Sequence, residues 1–323
     1  MGDILLKASG IKKHFPIRQG ILQRVVGHVR AVDGVDVVVE RGAVMGIVGE
    51  SGCGKSTTGR VLCGLLPPTE GSIDFDGHNV LTKDSAERKR IRRRMNIVLQ
   101  DPFSSLNPRM TVAELIGEPL LAHKLVKNKK EMTCQAAYFL EKCGMFADQI
   151  YRYPHQFSGG QRQRICIARA LAAESEFIVC DEAVSALDVS IQAQIINLLM
   201  DLRESDNLTY IFISHDLNVV RFISDHVAVM YLGQIVESAP KDEIFENPTH
   251  PYTKALLSAV PTFDKTQRKG RIILEGDIPS PSNPPTGCRF HTRCNEVMDQ
   301  CALEAPTVKE ISPGHIVQCH RFS

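Results

Sequence analysis

The chain has almost no net charge and no apolar stretch long enough to cross a membrane. Its 323 residues include 38 Lys or Arg and 37 Asp or Glu, a formal net charge of +1, so no overall basic field favours a nucleic-acid partner. No apolar run approaches the ~18 residues that a transmembrane helix needs. The N-terminal residues also lack the basic and apolar segments of a secretory signal. We therefore expect a cytoplasmic protein that does not bind nucleic acid.

Aromatic residues are few as well, and their scarcity bears on the most basic segment of the chain. Aromatic side chains make up 6% of the sequence, and none lies between the clustered Arg and Lys residues of segment 84–94. Proteins that bind single-stranded nucleic acid combine basic grooves with aromatic side chains on which bases stack. The segment is therefore predicted to be a solvated helix face, or one that lies near a membrane partner.

The composition is otherwise that of a globular protein, and its apolar patterning indicates an α/β fold. Hydrophobic residues make up 43% and charged residues 23% of the chain, which is ordinary for a folded protein. Segments 43–48, 177–180 and 210–213 are short apolar runs without alternation, as in buried parallel strands. Residues 4–40 alternate as in an antiparallel sheet. Because strands and helices alternate in between, we predict a parallel-sheet core with an antiparallel β subdomain.

Proline and cysteine mark the divisions of the chain. Residues 102–157 are predicted to be mostly helical. Four prolines are predicted to interrupt these helices: Pro102, Pro108, Pro119 and Pro154. After residue 260 the composition changes, and prolines are followed by clustered cysteines and histidines. We therefore predict a domain over residues 1–260, with a helical subdomain at about 101–160, and a small Cys-rich C-terminal domain over 261–323.

A glycine-rich loop follows the first buried run. It fits the pattern G-x-x-x-x-G-K-S/T with these residues: Gly49, Glu50, Ser51, Gly52, Cys53, Gly54, Lys55, Ser56 and Thr57. In such a loop glycines let backbone N–H groups point at phosphate oxygens. Lys55 can reach the β- and γ-phosphates and Ser56 can bind Mg²⁺. A strand that leads into a helix through such a loop makes an anion-binding site. The pattern therefore predicts a binding site for a nucleoside triphosphate.

Two carboxylates end the second buried run. Asp181 follows the apolar residues 177–180, which places it at the carboxyl edge of a parallel sheet, where it can hold Mg²⁺ through water. Glu182 comes next and can polarise the water that attacks the γ-phosphate. The pair therefore predicts hydrolysis of the bound nucleotide.

A second anion-binding turn opens a helix about 110 residues after the first. Ser158 is predicted to cap this helix, and the glycines that follow leave backbone N–H groups available. The turn consists of Ser158, Gly159, Gly160 and Gln161. One chain cannot easily close both turns on one phosphate. We therefore predict a head-to-tail dimer in which each turn covers the nucleotide of the partner.

Together these motifs resemble the ATP-binding cassette (ABC) family over residues 4–240. The remaining family motifs are matched by Gln100 (Q-loop), Ser185, Ala186, Leu187 and Asp188 (D-loop), His215 (switch histidine) and Phe15 (adenine stacking). The resemblance implies ATP and Mg²⁺ as ligands. It also implies that Glu182, His215, Lys55 and Gln100 are the catalytic residues.

Three further segments, 100–110, 247–257 and 281–290, resemble the ATPases of oligopeptide, dipeptide and nickel importers. The chain is most similar to the second ATPase subunit of dipeptide or oligopeptide importers. This implies ATP hydrolysis that powers peptide import at the cytoplasmic face of the cell membrane. The implied partners are a non-identical second ATPase, two transmembrane permease subunits and an extracellular substrate-binding protein.

Other functions remain open at this point. A nickel or metal-chelate importer uses the same motifs. A soluble ABC ATPase of DNA repair or translation would need coiled-coil insertions or a second cassette, which the sequence lacks. A GTPase is disfavoured because segment 128–131 only approximates the guanine-reading N-K-x-D pattern. One departure from the family is Ala183, which replaces the usual proline after Glu182; we expect hydrolysis to survive it.

The ten cysteines fall into two groups. Six are scattered, and several of these are predicted to be buried thiols: Cys53, Cys63, Cys134, Cys143, Cys166 and Cys180. The other four crowd the last 36 residues with the spacing C-x5-C-x6-C-x17-C: Cys288, Cys294, Cys301 and Cys319. This spacing lacks the tight pairs of zinc fingers and leaves an iron–sulfur cluster, zinc with help from a nearby histidine, or free thiols. The family resemblance favours a 4Fe–4S cluster.

Overall fold

The computed structural model describes residues 3–260 and 272–322, and the chain divides into two compact units. The first comprises Met1–Leu5, Glu40–Ala43 and Phe75–Ile213, and the second comprises Leu6–Val39, Val44–Asp74 and Ser214–Ser323. The predicted domain boundary at 260/261 borders residues 261–271, which lie outside the described residues.

The chain alternates strands and helices as the sequence predicted. The strands are β1 (Ile4–Gln19), β2 (Arg24–Glu40), β3 (Val44–Val48), β4 (Glu70–Phe75), β5 (His78–Asn79), β6 (Met95–Val98), β7 (Phe177–Asp181), β8 (Thr209–Ile213), β9 (His226–Tyr231), β10 (Gln234–Pro240), β11 (Val308–Ser312) and β12 (His315–Gln318). The helices are α1 (Lys55–Leu62), α2 (Ser85–Arg94), α3 (Pro102–Ser105), α4 (Val112–Ala122), α5 (Lys129–Lys142), α6 (Gly159–Ala172), α7 (Val189–Asp206), α8 (Leu217–Ile223), α9 (Lys241–Glu246), α10 (Pro251–Ser258) and α11 (Gln300–Leu303). In the described part of the chain, no helix combines the length and the apolar character that crossing a membrane requires.

The first unit contains three parallel strands, β6, β7 and β8. Every residue of β7 and β8 is buried, as expected for apolar, β-branched strands covered on both faces. In this register Val98 pairs with Cys180, and Asp181 pairs with Ile213. Asp181 therefore ends its strand at the carboxyl edge, where the sequence predicted it.

Helices occupy much of segment 101–160 of this unit, and one predicted interruption is wrong. Pro102 starts α3, but Pro119 lies inside α4. This helix begins with a capping box between Thr111 and Glu114. Its buried face, which includes Leu120, packs strongly enough to offset the hydrogen bond that the proline cannot make.

An ion-pair cluster fixes the start of β7. The side chain of Arg94 donates to both carboxylate oxygens of Glu176, at 2.6 and 2.8 Å, and to Asp76, at 2.5 Å. Arg41 bonds the same two carboxylates. These contacts lower the pKa of both Glu176 and Asp76, and the hydrogen bond from Arg94 makes the largest contribution. Because Glu176 precedes β7, the cluster anchors the strand at the end opposite to Asp181.

In the second unit, β3 pairs in parallel with β9, and β10 pairs antiparallel with both β9 and β12. A further sheet has the strand order β2-β1-β4, so the predicted strands in residues 4–40 are confirmed. The structure does not support a separate Cys-rich C-terminal domain. The reason is that backbone pairing with β10 joins β12, and through it β11, to the sheet that contains β3.

Candidate functional site

The predicted phosphate loop joins β3 to α1, and its shape requires glycine at two positions. Gly49 has φ +150°, and a Cβ atom there would lie 2.2 Å from the carbonyl oxygen of Met230. Gly54 has φ +107°, and its Cβ atom would lie 2.1 Å from the carbonyl oxygen of Ala31. A larger residue would collide with backbone at both places, so the loop can curl only with these glycines.

Lys55 begins α1 and points back into the loop. Its side chain is buried, with 4% exposed, and its Nζ donates to the carbonyl oxygens of Gly49 and Glu50 at 2.9 and 3.0 Å. Burial raises the pKa of the Cys53 thiol, which therefore adds no negative charge. The loop thus combines a lysine ammonium with a helix N-terminus, a combination suited to a polyphosphate.

The carboxylate after β7 lies in a small polar cluster of the first unit. Gln100 Nε2 donates to Glu182 Oε2 at 2.8 Å and to Ser185 Oγ at 3.3 Å. Glu182 has φ +50°, an uncommon conformation for a residue with a side chain, and its N–H donates to the carbonyl oxygen of Ile213 at 3.0 Å. The structure therefore brings together the predicted Q-loop, catalytic glutamate and D-loop.

Ala183, the departure from the resembled family's pattern, lies in the turn after Glu182. Ser185 N–H donates to the carbonyl oxygen of Glu182 at 3.1 Å, and Ser185 Oγ donates to the same oxygen at 3.0 Å. Ala183 is buried, with 2% exposed. The hydrogen bonds and this burial hold the turn in place of a proline ring.

The predicted signature turn starts α6 as expected. Ser158 Oγ accepts from the N–H of Gln161, whose side-chain oxygen accepts from the N–H of Ser158 at 3.0 Å. A Cβ atom on Gly160 would lie 2.3 Å from Cγ2 of Ile191 in α7, and one on Gly159 would lie 3.4 Å from Leu187. The turn therefore packs closely against the D-loop and the start of α7.

The second unit holds the phosphate loop, His215 and Phe15, whereas the first holds the Gln100 cluster, Asp181 and the signature turn. His215 is exposed and follows Ser214, whose N–H donates to the carbonyl oxygen of Ile47 in β3 at 3.3 Å. Phe15 is 37% exposed, so its ring is accessible for stacking.

The four tail cysteines are near one another, yet they do not form a ligand group as they stand. Cys288 N–H donates to the carbonyl oxygen of Cys301 at 2.8 Å. Burial, with smaller contributions from electrostatic interactions with Cys294, Cys301 and Cys319, raises the pKa of the Cys288 thiol to about 11. Over residues 3–260 and 272–322, however, no three His, Cys, Asp or Glu side chains are grouped as metal ligands. The arrangement therefore does not support the predicted 4Fe–4S cluster or its zinc alternative.

Of the six scattered cysteines, five are buried and Cys134 is exposed. Burial raises the pKa of Cys143, Cys166 and Cys180 to about 12 in each case. The prediction that several of these six are buried thiols is therefore confirmed.

Sequence reasoning missed two residues that contact the phosphate loop. Arg293 donates to both carboxylate oxygens of Glu50, at 2.7 and 3.0 Å, and the hydroxyl of Tyr252 accepts from the N–H of Glu50 at 2.9 Å. Tyr252 lies in the family-like segment 247–257, which was a usable signal. No local pattern marks Arg293.

A cavity of about 520 Å³ lies beside the segment that carries Gln100. Its lining consists of Asn96, Ile97, Val98, Leu99, Ser104, Ser105, Glu118, Pro119, Ala122, Cys166, Arg169 and Ala170. Phe103 directly precedes the lining residue Ser104. Its ring is 62% exposed, and the guanidinium of Arg162 stacks on it at 3.9 Å. All of these residues belong to the first unit.

Comparison with known protein families gives two matches. The ABC transporter family matches residues 32–185, and the C-terminal region of oligopeptide/dipeptide transporters matches residues 236–301. The second match overlaps β10 and the segment that includes Arg293.

Curated relatives match along nearly the whole chain. The chain is 51% identical over 324 residues to the oligopeptide transport ATP-binding protein AppF of Bacillus subtilis (strain 168), covering 99% of this chain and 98% of that protein. It is 46% identical over 315 residues to the dipeptide transport ATP-binding protein DppF of Haemophilus influenzae, covering 98% and 96%.

Solved structures agree with the fold. The dimeric ATP-binding cassette MJ0796 in a post-hydrolysis state bound to ADP and Pi is 28% identical, with a TM-score of 0.65, over 73% of this chain and 99% of that chain. The cbiO1 protein from Clostridium perfringens, part of the cbiONQ transporter complex, is 26% identical with a TM-score of 0.63, over 76% and 92%. The chain therefore belongs to the ABC transporter family, as an ATPase related over nearly its full length to oligopeptide and dipeptide transport ATP-binding proteins.

Proposed function

We propose that this ATPase powers the import of dipeptides or oligopeptides across the cell membrane. The observation that carries the proposal is the match of the oligopeptide/dipeptide C-terminal region to residues 236–301 in a chain that also matches the ABC transporter family. Relatives named for peptide transport cover almost the whole chain, so a nickel or metal-chelate cargo is less favoured.

In the proposed reaction the phosphate loop binds the triphosphate of ATP. Lys55 exchanges its carbonyl contacts for phosphate oxygens, and the N-terminus of α1 supports the same charge. Ser56 and, through water, Asp181 would hold Mg²⁺, which prefers oxygen ligands. The bound ion would neutralise charge on the β- and γ-phosphates. Phe15 provides a ring on which adenine stacks.

Glu182 is proposed to orient and deprotonate the attacking water. Gln100 Nε2 donates to Oε2 of Glu182 at 2.8 Å and so fixes the direction of the carboxylate that would polarise the water. His215 is proposed to stabilise charge at the γ-phosphate. Because the same amide contacts Ser185 of the D-loop, a change at Gln100 reaches both the base and the D-loop.

The signature turn is proposed to act on the nucleotide of a second ATPase in a head-to-tail pair. Its residues at the start of α6 are Ser158, Gly159, Gly160 and Gln161, and the side chains of Ser158 and Gln161 are exposed. We propose a non-identical ATPase as the partner, with the D-loop residues Ser185–Asp188 at the contact.

The cavity beside Gln100 is proposed to receive a segment of a permease subunit. Phe103, whose ring is exposed, offers an apolar contact within segment 101–110. Movement of that segment would reach Glu182 through the adjacent Gln100. The full assembly would contain two permease subunits and an extracellular substrate-binding protein. The chain would lie on the cytoplasmic face of the membrane.

For the tail, we propose that the four cysteines assemble a structural metal site, preferably 4Fe–4S with zinc as the alternative. Four thiols on separate short segments are suitable donors for either metal, although their side chains would have to turn towards a common centre. Iron and sulfide counts with an anaerobic absorbance spectrum test this. Loss of about four irons together in C319S would support the 4Fe–4S cluster. Zinc without iron would favour the zinc site instead, and the absence of both metals from the purified protein would refute the metal site.

The transport proposal is tested by reconstituting the chain with its neighbouring permease and ATPase subunits in proteoliposomes. Peptide accumulation that requires ATP and the binding protein, and that is lost in E182Q, is the expected result. ATP-dependent accumulation of Ni²⁺ without peptide uptake would refute the peptide cargo. ATP hydrolysis that persists in E182Q would refute the role of Glu182 but not the cargo.

A further inference from the structure

Glu50 of the phosphate loop is paired with an arginine from the C-terminal segment of its unit. The guanidinium of Arg293 binds its carboxylate through two hydrogen bonds, at 2.7 and 3.0 Å. The side chain of Arg293 is 7% exposed and that of Glu50 is 24% exposed, so the pair is largely shielded from water. A bidentate Arg–carboxylate contact of this kind fixes orientation as well as charge.

The backbone of Glu50 is held from the same side. Its N–H donates to the hydroxyl of Tyr252, whose ring is fully buried. That ring packs on Tyr231 and Phe290, with centroids 4.7 and 5.3 Å apart. Phe290 precedes Arg293 by three residues, so the aromatic core that positions Tyr252 also positions the segment that carries the arginine.

The C-terminal segment also contacts the phosphate loop indirectly, at Cys53. The buried side chain of Arg289 donates to the carbonyl oxygen of Leu232. Gly233, which follows Leu232, donates its N–H to the carbonyl oxygen of Cys53 at 2.8 Å. Residues 289–293 therefore support the loop at Glu50 and, through the turn between β9 and β10, at Cys53.

An unpaired carboxylate at Glu50 would oppose nucleotide binding. ATP brings several negative charges to the loop, and like charges at short range repel strongly where water is excluded. Arg293 neutralises the carboxylate and its planar fork fixes the direction of the side chain. We propose that Arg293 is a positioning residue for ATP binding, so that nucleotide affinity depends on the C-terminal segment that supplies it.

This inference rests on the proposed assignment of residues 49–57 as the phosphate loop. The experiment measures the Kd of a fluorescent ATP analogue, together with kcat, KM and the melting temperature, on the purified full-length chain with its partner subunits. The variants are R293M, R293K, E50Q and the double variant R293M/E50Q. The matched control is R321M, because Arg321 pairs in the same tail with Glu296, at 2.7 Å, and not with a residue of the loop.

We expect R293M to raise the Kd and KM about tenfold, the effect of losing one shielded charge pair, while kcat stays within about twofold. R293K keeps the charge but loses the fork, and its Kd should lie between those of R293M and the wild type. In R293M/E50Q the repelling charge is gone, so the Kd should return to within about threefold of that of E50Q. R321M should bind as the wild type does.

Two results would overturn the inference. One is an R293M chain with an unchanged Kd. The other is an R293M/E50Q chain that binds ATP no better than R293M. That result would mean that R293M weakens binding by disturbing the fold and not by leaving the carboxylate of Glu50 unpaired. R293K provides the comparison if R293M does not fold. The variant K55M tests the assignment of the phosphate loop independently of Arg293. If K55M binds ATP normally, residues 49–57 are not the phosphate loop.

Discussion

His250 offers a pH-dependent test of the packing beside the phosphate loop. Its ring is buried, with 1% exposed, and its Nδ1 accepts from the N–H of Tyr252 at 3.1 Å. The ring also lies against Phe290, with centroids 5.6 Å apart. Burial, with a smaller contribution from the charge of Lys254, lowers the pKa of His250 from 6.5 to about 3.

The sign and size of the effect follow from this shift. Between pH 6.5 and pH 3 the unfolded chain protonates His250 and the folded chain does not, so the stability that neutral His250 provides above pH 6.5 is lost as pH falls. Each pH unit in that window costs about 1.4 kcal/mol of unfolding free energy. From pH 7 to pH 5 the loss is therefore about 2 kcal/mol, which corresponds to a melting temperature about 4 °C lower.

The assay compares the wild type with H250N across that pH range. Asparagine can still accept the N–H of Tyr252 through Oδ1 but cannot be protonated. The melting temperature of the wild type should fall about 4 °C further than that of H250N between pH 7 and pH 5. Parallel curves for the two proteins would refute the reasoning, because they would show that His250 titrates alike in the folded and unfolded chain.

Three further predictions concern stability and thiol reactivity. The carboxylate of Glu237 accepts three hydrogen bonds, two of them buried. E237Q should cost about 2 to 3 kcal/mol of unfolding free energy, because its amide would face a donor. The exposed control D242N should melt within about 1 °C of the wild type. G160A should destabilise the chain by about 1 to 3 kcal/mol through its collision with α7, whereas G159A should not, and equal melting temperatures would contradict this. A maleimide should label Cys134 first among the six scattered cysteines, which peptide mass mapping at short reaction times checks.

Features encoded by neighbouring residues could be predicted from the sequence. The apolar run of β3, the glycines of the loop and the start of α1 lie within about fifteen consecutive residues, and each constrains the next. Asp181 could be placed because the end of a parallel strand has a known position in a sheet. Ser158 could be identified as a cap because Gln161 completes the capping box.

Contacts between distant residues could not be predicted, because they leave no local pattern. Glu50 and Arg293 are 243 positions apart, and neither has a neighbour that marks the pairing. Glu237 is fully buried although a strand carboxylate is usually expected at the surface; its partners, Thr249, His250 and His315, come from two other segments. The separate C-terminal domain was inferred from composition, which does not report that β12 pairs with β10.

The same contacts explain why the phosphate loop should keep its shape. Gly49 is packed against the carbonyl of Met230 and Gly54 against that of Ala31, so the backbone has no space to open on those sides. On the remaining side Glu50 is fixed by Tyr252 and Arg293. A loop held in this way loses little conformational entropy when ATP binds, which favours affinity. On the inference above, its affinity depends on the C-terminal segment as well as on the glycine-rich motif itself, and a substitution in that segment should weaken ATP binding without touching the nucleotide.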